Sequence, residues 1–414
     1  TVTSGATVEG FLDTRAKKMV LRWLQNISTG CLTVDDGVEK YTFGDKNSSL
    51  NATVVIRSVA VYRDILSNGL VGAGEAYMRG RWCSTDLVTV VRILSANLTA
   101  MQSRSSVWSS LNECVASVVH RFFRNNSYTN SRLNIAAHYD LGNDFFRLFL
   151  DSSMMYSSAI FPSETSTLEE AATYKLEHIC QRLQLKPTDH LLEIGTGWGG
   201  MAIYAAQHYG CRVTTTTISK EQYNYACDAV KKAGLEDRVT LLLDDYRDLE
   251  GQFDKLVSIE MIEAVGHRYY QQYFTSCGRL LKDDGLMLIQ AITVPDQRYE
   301  LTKKSTDFIQ QYIFPGGELP CIQVMTKHLT EDSDLQVVAI DDITRDYANT
   351  LAVWRERFFE RLEDVKVQGF DDIFIRMWDF YLAYCEGGFR ERTISTVQMV
   401  MAKPRCQSLP MVAR

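Results

Sequence analysis

The sequence lacks the patterns that mark disulfide-rich, membrane-spanning or nucleic-acid-binding proteins. Its ten cysteines lie far apart and form no CxxC pair, so we expect buried thiols, no disulfide framework and no metal site. No apolar run reaches the roughly 18 residues that span a bilayer, because Arg92 and Asn97 interrupt the most apolar stretch, residues 87–101. A net charge of −7 argues against nucleic acid as a partner. Since a basic-then-apolar signal peptide is also lacking, we expect a cytoplasmic protein.

The length of 414 residues and an ordinary apolar fraction of 45% indicate two globular domains. Residues 1–100 mix strand-like and helical patterns and form the predicted N-terminal domain. Residues 101–132 are rich in serine and asparagine, so we interpret them as a connector. We predict the second domain at residues 133–405, followed by a tail at residues 406–414.

From residue 165 onward, short apolar strands alternate with amphipathic helices. This alternation predicts an α/β fold of the Rossmann-like kind, with a mostly parallel sheet and helices on both faces. Such a sheet binds its ligand beyond the carboxyl ends of the strands, beside the first strand. The predicted strands are residues 190–194, 212–218, 239–243, 255–259 and 286–292, and the predicted helices include residues 168–183 and 220–233.

A glycine-rich segment, Glu193-Ile194-Gly195-Thr196-Gly197-Trp198-Gly199, closes the first predicted strand. Glycines let the backbone turn tightly and approach a ligand closely. The segment departs from the G-x-G-x-x-G pattern of dinucleotide-binding proteins and places an acid two residues before its first glycine. This form suits a nucleoside with a charged amino-acid tail. We therefore predict a class I methyltransferase domain in which Glu193, Gly195, Gly197 and Gly199 bind S-adenosylmethionine.

Residues after the next two strands complete the predicted cofactor site. Asp245 has the chemistry to accept a hydrogen bond from the adenine amino group, and Tyr246 to cover the ring face. Many methyltransferases end the second strand with an acid that binds the ribose hydroxyls, but here that strand ends in threonines. We therefore expect Thr216 and Gln222 to take over that contact. The alternative interpretation of Asp245 is a solvated acidic turn.

Six short segments carry more distinctive motifs: residues 74–78 (GEAYM), 80–82 (GRW), 138–144 (HYDLGND), 155–158 (MYSS), 259–267 (IEMIEAVGH) and 312–317 (YIFPGG). In these motifs the chain resembles the cyclopropane-fatty-acyl-phospholipid synthase family, whose members include the mycolic acid cyclopropane synthases. The resemblance covers nearly the whole chain. It implies that the first domain is a smaller α/β domain that handles lipid, ahead of the methyltransferase domain.

The resemblance implies transfer of a methyl group from S-adenosylmethionine to the cis double bond of an unsaturated phospholipid acyl chain, giving a cyclopropane. In the family, a bound bicarbonate removes the proton that lets the ring close. Glu263, Tyr347 and the backbone of Ile292 match ligands of that bicarbonate. Ser158 and Gln290 stand where the best-known members have Cys and His. Both types still donate hydrogen bonds to an oxyanion, so all five are predicted catalytic residues.

The resemblance also implies partners and leaves alternatives open. Tyr156 and Ser157 match cofactor contacts of the family. The expected substrate is an acyl chain at a membrane surface, reached by peripheral docking of the enzyme, and a homodimer is a further expectation. The alternatives are a fatty-acyl methyltransferase with a methyl-branched or methylene product, a small-amine N-methyltransferase and a catalytically inactive lipid-binding relative.

Overall fold

The computed structural model describes residues 11–98, 141–407 and Leu409, and these residues contain two β-sheets. The predicted connector lies outside the described residues, as do His138, Tyr139 and Asp140. Within the described ranges, no helix is long and apolar enough to cross a membrane. The domain boundaries proposed from the sequence stay a prediction.

The first sheet is built from residues near the N-terminus. Its elements are α1 (Phe11–Leu24), β1 (Cys31–Asp35), β2 (Lys40–Gly44), β3 (Asn51–Ile56), α2 (Ala60–Met78), β4 (Trp82–Ser84) and α3 (Leu87–Ala96). The strand order is β2-β1-β3-β4, in which β1 and β3 are parallel and the other pairs are antiparallel. Buried and exposed residues alternate along most of β3, as expected for a strand with one face on a core.

The second sheet has seven strands: β5 (His190–Ile194), β6 (Arg212–Thr216), β7 (Val239–Leu242), β8 (Phe253–Ile259), β9 (Leu281–Thr293), β10 (Gln336–Asp342) and β11 (Ser395–Ala402). Their order is β10-β11-β9-β8-β5-β6-β7. The five strands from β9 to β7 are parallel, whereas β11 is antiparallel to β9 and to β10. The predicted α/β fold with a mostly parallel sheet is therefore confirmed.

The remaining described helices follow the strands in chain order. They are α4 (Asn143–Phe146), α5 (Leu168–Arg182), α6 (Gly200–Tyr209), α7 (Lys220–Ala233), α8 (Tyr270–Leu280), α9 (Tyr299–Thr302), α10 (Phe308–Tyr312), α11 (Ile322–Asp332), α12 (Thr344–Glu360), α13 (Leu362–Val367) and α14 (Asp372–Arg390). Local signals set several of these ends. Thr167 and Glu170 form a capping box at the start of α5, and Gly234 ends α7 in the left-handed conformation.

The sequence prediction missed β10 and β11 and made β9 too short. β10 has only a four-residue apolar run, residues 337–340, between Gln336 and two aspartates, and no residue of the strand is fully buried. The N-terminal end of β9 contains Lys282, Asp283 and Asp284, and a charged sequence of this kind predicts a loop. Pairing with β8 and β11 supplies the hydrogen bonds that local sequence does not indicate.

Helices cover both faces of the large sheet. Leu191 of β5 packs in a cluster with residues of α5, α6 and α7, whereas the next residue, Leu192, packs with residues of α8 and α11. Successive side chains of a strand point to opposite faces, so a strand covered on both sides carries apolar residues towards both. This explains the adjacent apolar residues Leu191 and Leu192 of β5, a strand that also buries Glu193.

A long helix near the C-terminus joins the two sheets into a common core. α14 packs against α2 and α3, which belong to the N-terminal unit (residues 11–98), and against α12. The contact is close at Gly387, where an added Cβ would lie 2.6 Å from Cγ1 of Val91. Gly74 of α2 has a similar role, because a Cβ there would lie 2.5 Å from the ring of Phe308. Small residues thus permit the approach of the N-terminal helices.

We predict that Gly387→Ala destabilises the protein by about 1–2 kcal/mol, because overpacking of a dense core outweighs the higher helix propensity of alanine. Adding Val91→Ala should recover part of the loss, since it removes the atoms that the new methyl group meets. Urea unfolding of the two variants and of Val91→Ala alone measures the coupling. A Gly387→Ala protein more stable than the parent would contradict this packing.

Candidate functional site

A cavity of about 410 Å³ opens at the carboxyl ends of the parallel strands. It lies against the glycine-rich loop after β5 and extends to side chains of α2, α3 and α14. Its lining is mostly apolar. The structure brings to it most of the residues predicted from the sequence, namely Tyr156, Ser157, Glu193, Gly195, Gly197, Thr216, Gln222, Asp245, Tyr246, Glu263, Ile292 and Tyr347. The predicted residues Gly199, Ser158 and Gln290 do not border the cavity.

The glycine-rich loop has the conformation that its sequence requires. Gly195, Gly197 and Gly199 have φ of 103°, 53° and 90°, a region that favours glycine. An added Cβ on Gly197 would meet no atom within 4 Å. Since Gly197 borders the cavity, a side chain there would enter the space in which we expect the cofactor.

Two buried charged groups lie behind the loop. Glu193 accepts a hydrogen bond from the Thr215 hydroxyl at 2.7 Å, and burial raises its pKa to about 8. Lys175 of α5 is fully buried and donates to the Ser157 hydroxyl at 2.6 Å. Burial lowers the pKa of Lys175 to about 8, although the nearby carboxylates of Glu260, Asp151 and Glu193 oppose the shift. The sequence analysis missed Lys175, because a lysine in a helix is usually on the surface.

The residues predicted for the nucleoside make mostly internal contacts. The Thr216 hydroxyl donates to the Asp244 carbonyl, and the Gln222 side chain accepts from the Thr217 hydroxyl at 2.9 Å. Both oxygens of Asp245 accept hydrogen bonds from Arg247, at 2.8 and 2.6 Å, and both side chains are 3% exposed.

The burial of Asp245 and its contact with Arg247 argue against the alternative of a solvated turn, whereas its predicted contact with adenine stays a prediction. The neighbouring Asp244 is exposed and borders the cavity. Tyr246 borders the cavity as well, with its ring 5.4 Å from that of Tyr273. The roles of these residues in cofactor binding stay predictions.

A carboxylate that the sequence analysis did not select lies within the anion cage, as we call the five residues predicted to bind bicarbonate. Glu260 accepts hydrogen bonds from the backbone N–H of Ser158 at 2.9 Å and from Nε2 of Gln290 at 2.8 Å, both on Oε1. Its Oε2 accepts from the Tyr347 hydroxyl at 2.7 Å. The Ser158 hydroxyl instead donates to the Ala159 carbonyl at 2.9 Å. Ser158 therefore contributes its backbone to this cage, where we expected its side chain.

Glu263 and Ile292, the other two predicted cage residues, bond to each other. The Ile292 N–H donates to Oε1 of Glu263 at 2.6 Å. Oε2 of Glu263 is buried and has no hydrogen-bond partner among the residues that the structure describes. Burial, followed by the charge of Glu260, raises the pKa of Glu263 to about 8. Glu263 is thus a neutral acid over most of the physiological range.

Bicarbonate does not fit this arrangement. Two of the donors predicted for it, the Gln290 amide and the Tyr347 hydroxyl, already bond to Glu260, and a third, the Ile292 N–H, bonds to Glu263. The Ser158 hydroxyl bonds to a carbonyl, and the Ser158 N–H bonds to Glu260. A second anion would have to displace one of these side chains. The sequence held a signal for Glu260, since it directly follows a parallel strand, the position that also led to Glu263.

The amide of Gln290 is oriented by residues outside the cavity. Its Oε1 accepts from Nε2 of Gln398 at 2.8 Å, and Oε1 of Gln398 lies 2.9 Å from Nδ1 of His178. Gln398 lies on β11, directly opposite Gln290 on β9. The antiparallel strand therefore fixes which end of the Gln290 amide faces Glu260.

Comparisons with known proteins agree on one family. The family model described as mycolic acid cyclopropane synthetase matches residues 126–399. Tuberculostearic acid methyltransferase UfaA1 of Mycobacterium tuberculosis is 39% identical, over 84% of this chain and 82% of that protein. Cyclopropane-fatty-acyl-phospholipid synthase of Escherichia coli is 35% identical, over 86% of this chain and 89% of that protein.

Solved structures give the same result. Mycolic acid cyclopropane synthase CmaA1, in complex with SAH and CTAB, is 31% identical and has a TM-score of 0.62, covering 66% of this chain and 98% of that chain. Coclaurine N-methyltransferase has a TM-score of 0.61 over 80% of this chain and 99% of that chain. At 17% identity, the second likeness concerns the fold alone.

We predict that Gly197→Val abolishes binding of S-adenosylmethionine, because the side chain would occupy the cofactor's space. The matched control is Gly234→Val, since Gly234 has a similar φ of 66°, has open space around its Cβ position and lies outside the cavity. Both variants carry comparable backbone strain. Calorimetry should detect binding to the control only. Binding to Gly197→Val within about twofold of the parent would place the cofactor elsewhere.

We predict that Glu263→Gln changes stability in a pH-dependent way. The pKa of Glu263 rises from 4.5 to about 8 on folding, so between these values the unfolded chain loses a proton that the folded chain keeps. Stability from this group therefore falls as pH rises and is lost above pH of about 8.

The glutamine variant is not subject to this loss, yet its carbonyl still accepts from Ile292. Its thermal midpoint should match that of the parent near pH 5 and exceed it by a few degrees near pH 9, roughly the scale of 1 kcal/mol or more. Glu193 and Lys175 titrate in both proteins and cancel from the comparison. Parallel stability curves across this pH range would show that Glu263 ionises as an ordinary acid.

Proposed function

As a member of the mycolic acid cyclopropane synthetase family, the chain is an S-adenosylmethionine-dependent methyltransferase, and we propose that it methylates the cis double bond of an unsaturated phospholipid acyl chain. The observation that carries the proposal is the lining of the cavity. It borders both the glycine-rich loop and apolar side chains of the N-terminal unit, such as Leu70, Trp82 and Leu94. A volume of about 410 Å³ suits a cofactor tail and part of an alkyl chain.

The chemistry requires a dry, enclosed site. An alkene is a weak nucleophile, so the sulfonium methyl group must be held in line with it and water must be excluded. Methyl transfer places a positive charge on the acyl chain. Aromatic residues of α14 and α12, among them Tyr381, Phe389 and Tyr347, border the cavity, and aromatic rings can stabilise a nearby cation. Bicarbonate takes no part in the proposed reaction, because the Gln290, Tyr347 and Ile292 donors predicted for it are bonded to Glu260 and Glu263.

The product that we propose is a cyclopropane, which the chain reaches when the cation loses a proton from the added methyl group. A 1,2-hydride shift that moves the cation onto the methyl-bearing carbon, followed by loss of a methyl proton, would give a methylene branch, an isomer of the ring product. A saturated methyl branch would require a further reductant. The 39% identity to a tuberculostearic acid methyltransferase makes the branched product the second candidate. A small amine as acceptor has no such support, since an apolar cavity that extends into the N-terminal unit exceeds its needs.

Peripheral membrane docking and homodimer formation stay predictions. Arginine side chains of the N-terminal unit could contact anionic lipid. In the structure, Arg63 pairs with Asp13 and Arg81 with Asp64. Any docking surface in this unit therefore depends more on apolar side chains than on these two charges.

The test incubates the full-length protein with vesicles of cis-unsaturated phospholipid and S-adenosylmethionine labelled in its methyl group. We expect the label in the acyl chain, with a gain of CH₂ and loss of the olefinic signal in proton spectra. Retention of an olefinic signal with the same mass would identify the methylene product. Label in a head-group amine, or no transfer by protein that binds the cofactor, would overturn the proposal.

Two substitutions at Leu94 test the position of the acyl chain. Leu94→Trp should shorten the apolar part of the cavity and lower kcat/KM for the longest acyl chains by about tenfold, the scale of one or two displaced methylenes. Leu94→Ala should shift the preference towards longer chains. Both variants should bind S-adenosylmethionine like the parent. Equal effects on all chain lengths would show that the acyl chain lies elsewhere.

A further inference from the structure

We propose that Glu260 is the base of the reaction and that its carboxylate takes the position which the family resemblance assigned to bicarbonate. This inference rests on the proposed function, because it concerns the proton lost after methyl transfer to an acyl chain. It differs from the sequence-based prediction, in which an external anion removes the proton and Glu263 holds it.

The hydrogen bonds of Glu260 are those expected for an ionised carboxylate. All three partners are donors, namely the Ser158 N–H, the Gln290 amide and the Tyr347 hydroxyl. Donors of this kind favour the charged form of an acid. The Gln290 amide cannot turn its oxygen towards Glu260 without losing the hydrogen bond from Gln398. The surroundings are therefore arranged to receive a negative charge at this place.

Glu260 also borders the cavity in which the cation would form. It lines the same wall as Glu263, Ile292 and Tyr347, directly after β8. Burial raises the pKa of Glu260, opposed by its hydrogen bonds and by the charge of Lys175. An acid with a raised pKa is a stronger base when ionised.

The backbone at Glu260 is strained in a way that supports a functional role. Its φ is 49°, in the left-handed region that glutamate seldom adopts. Such a conformation costs on the order of 1 kcal/mol or more and persists where the surrounding structure enforces it. The strained residue is also the one whose carboxylate receives three hydrogen bonds. Glycine would fit the backbone better, so selection for packing alone does not account for glutamate.

The step balances without another reactant. Methyl transfer forms a C–C bond from the electron pair of the alkene, breaks the C–S bond and leaves a cation on the acyl chain. A C–H bond of the new methyl group then breaks, and its electron pair forms the second ring bond. The proton passes to a carboxylate oxygen of Glu260. The neutral acid returns the proton to solvent after the product leaves.

The test compares Glu260→Gln and Glu260→Gly in buffer depleted of bicarbonate and in buffer with added bicarbonate or formate. The parent should turn over at the same rate in all of them. Glu260→Gln should bind S-adenosylmethionine normally, yet turn over on the order of 10²–10⁴-fold more slowly, the scale of lost acid–base catalysis. Glu260→Gly removes the carboxylate, keeps the three donors and relieves the strained φ, so it should fold well. Added anion should restore part of its activity.

The matched control is Glu386→Gln, which neutralises another buried carboxylate, one that bonds to Arg390 and does not border the cavity. It should retain parental turnover. The inference is overturned if the parent slows without bicarbonate, if Glu260→Gln turns over within about twofold of the parent, or if no anion rescues Glu260→Gly. A parent protein that methylates no acyl chain would instead overturn the proposed function, and the two failures are therefore distinct.

Discussion

Three hydrogen bonds to one carboxylate connect four separate stretches of the chain. Glu260 follows β8, and its partners Ser158, Gln290 and Tyr347 belong to the loop before α5, to β9 and to α12. A hydrogen bond to a charged group contributes about 1.5–3 kcal/mol. An enclosed carboxylate needs such bonds to replace its lost hydration. The arrangement of these elements around the site therefore depends on a charge as well as on apolar packing.

The second constraint is that the site must be enclosed by parts of the chain that lie far apart in sequence. α14 supplies Phe380, Tyr381 and Phe389 to the cavity wall, and it also packs against α2 and α3 of the N-terminal unit. The close approach at Gly387 thus affects the cavity as well as stability. In the proposed reaction, water would capture the cation on the acyl chain. The packing of the N-terminal unit, which helps to exclude water, is therefore needed for the reaction as well as for stability.

The parts of the structure that follow local rules could be predicted from the sequence. The strand β5, the glycine-rich loop and the caps of α7 depend on a few neighbouring residues, and their positions were correct within a residue or two. The burial of Lys175 depends on residues that are distant in sequence, so it could not be read from the local sequence. Motif matching selected Glu263 because the family has an acid there. It passed over Glu260, whose role depends on three donors brought together by the fold.

Two neighbouring carboxyl groups in one enclosed site cannot both be ionised without a large electrostatic cost. The donors decide which of them carries the charge, because Glu260 receives three hydrogen bonds and Glu263 receives one on its Oε1. The charge of Glu260 then contributes to raising the pKa of Glu263 to about 8, so the second acid stays neutral. The charge of buried Lys175 offsets part of the negative charge of Glu260. An added anion would have to displace Glu260 from these donors, whereas the Glu260 carboxylate is already bonded to them.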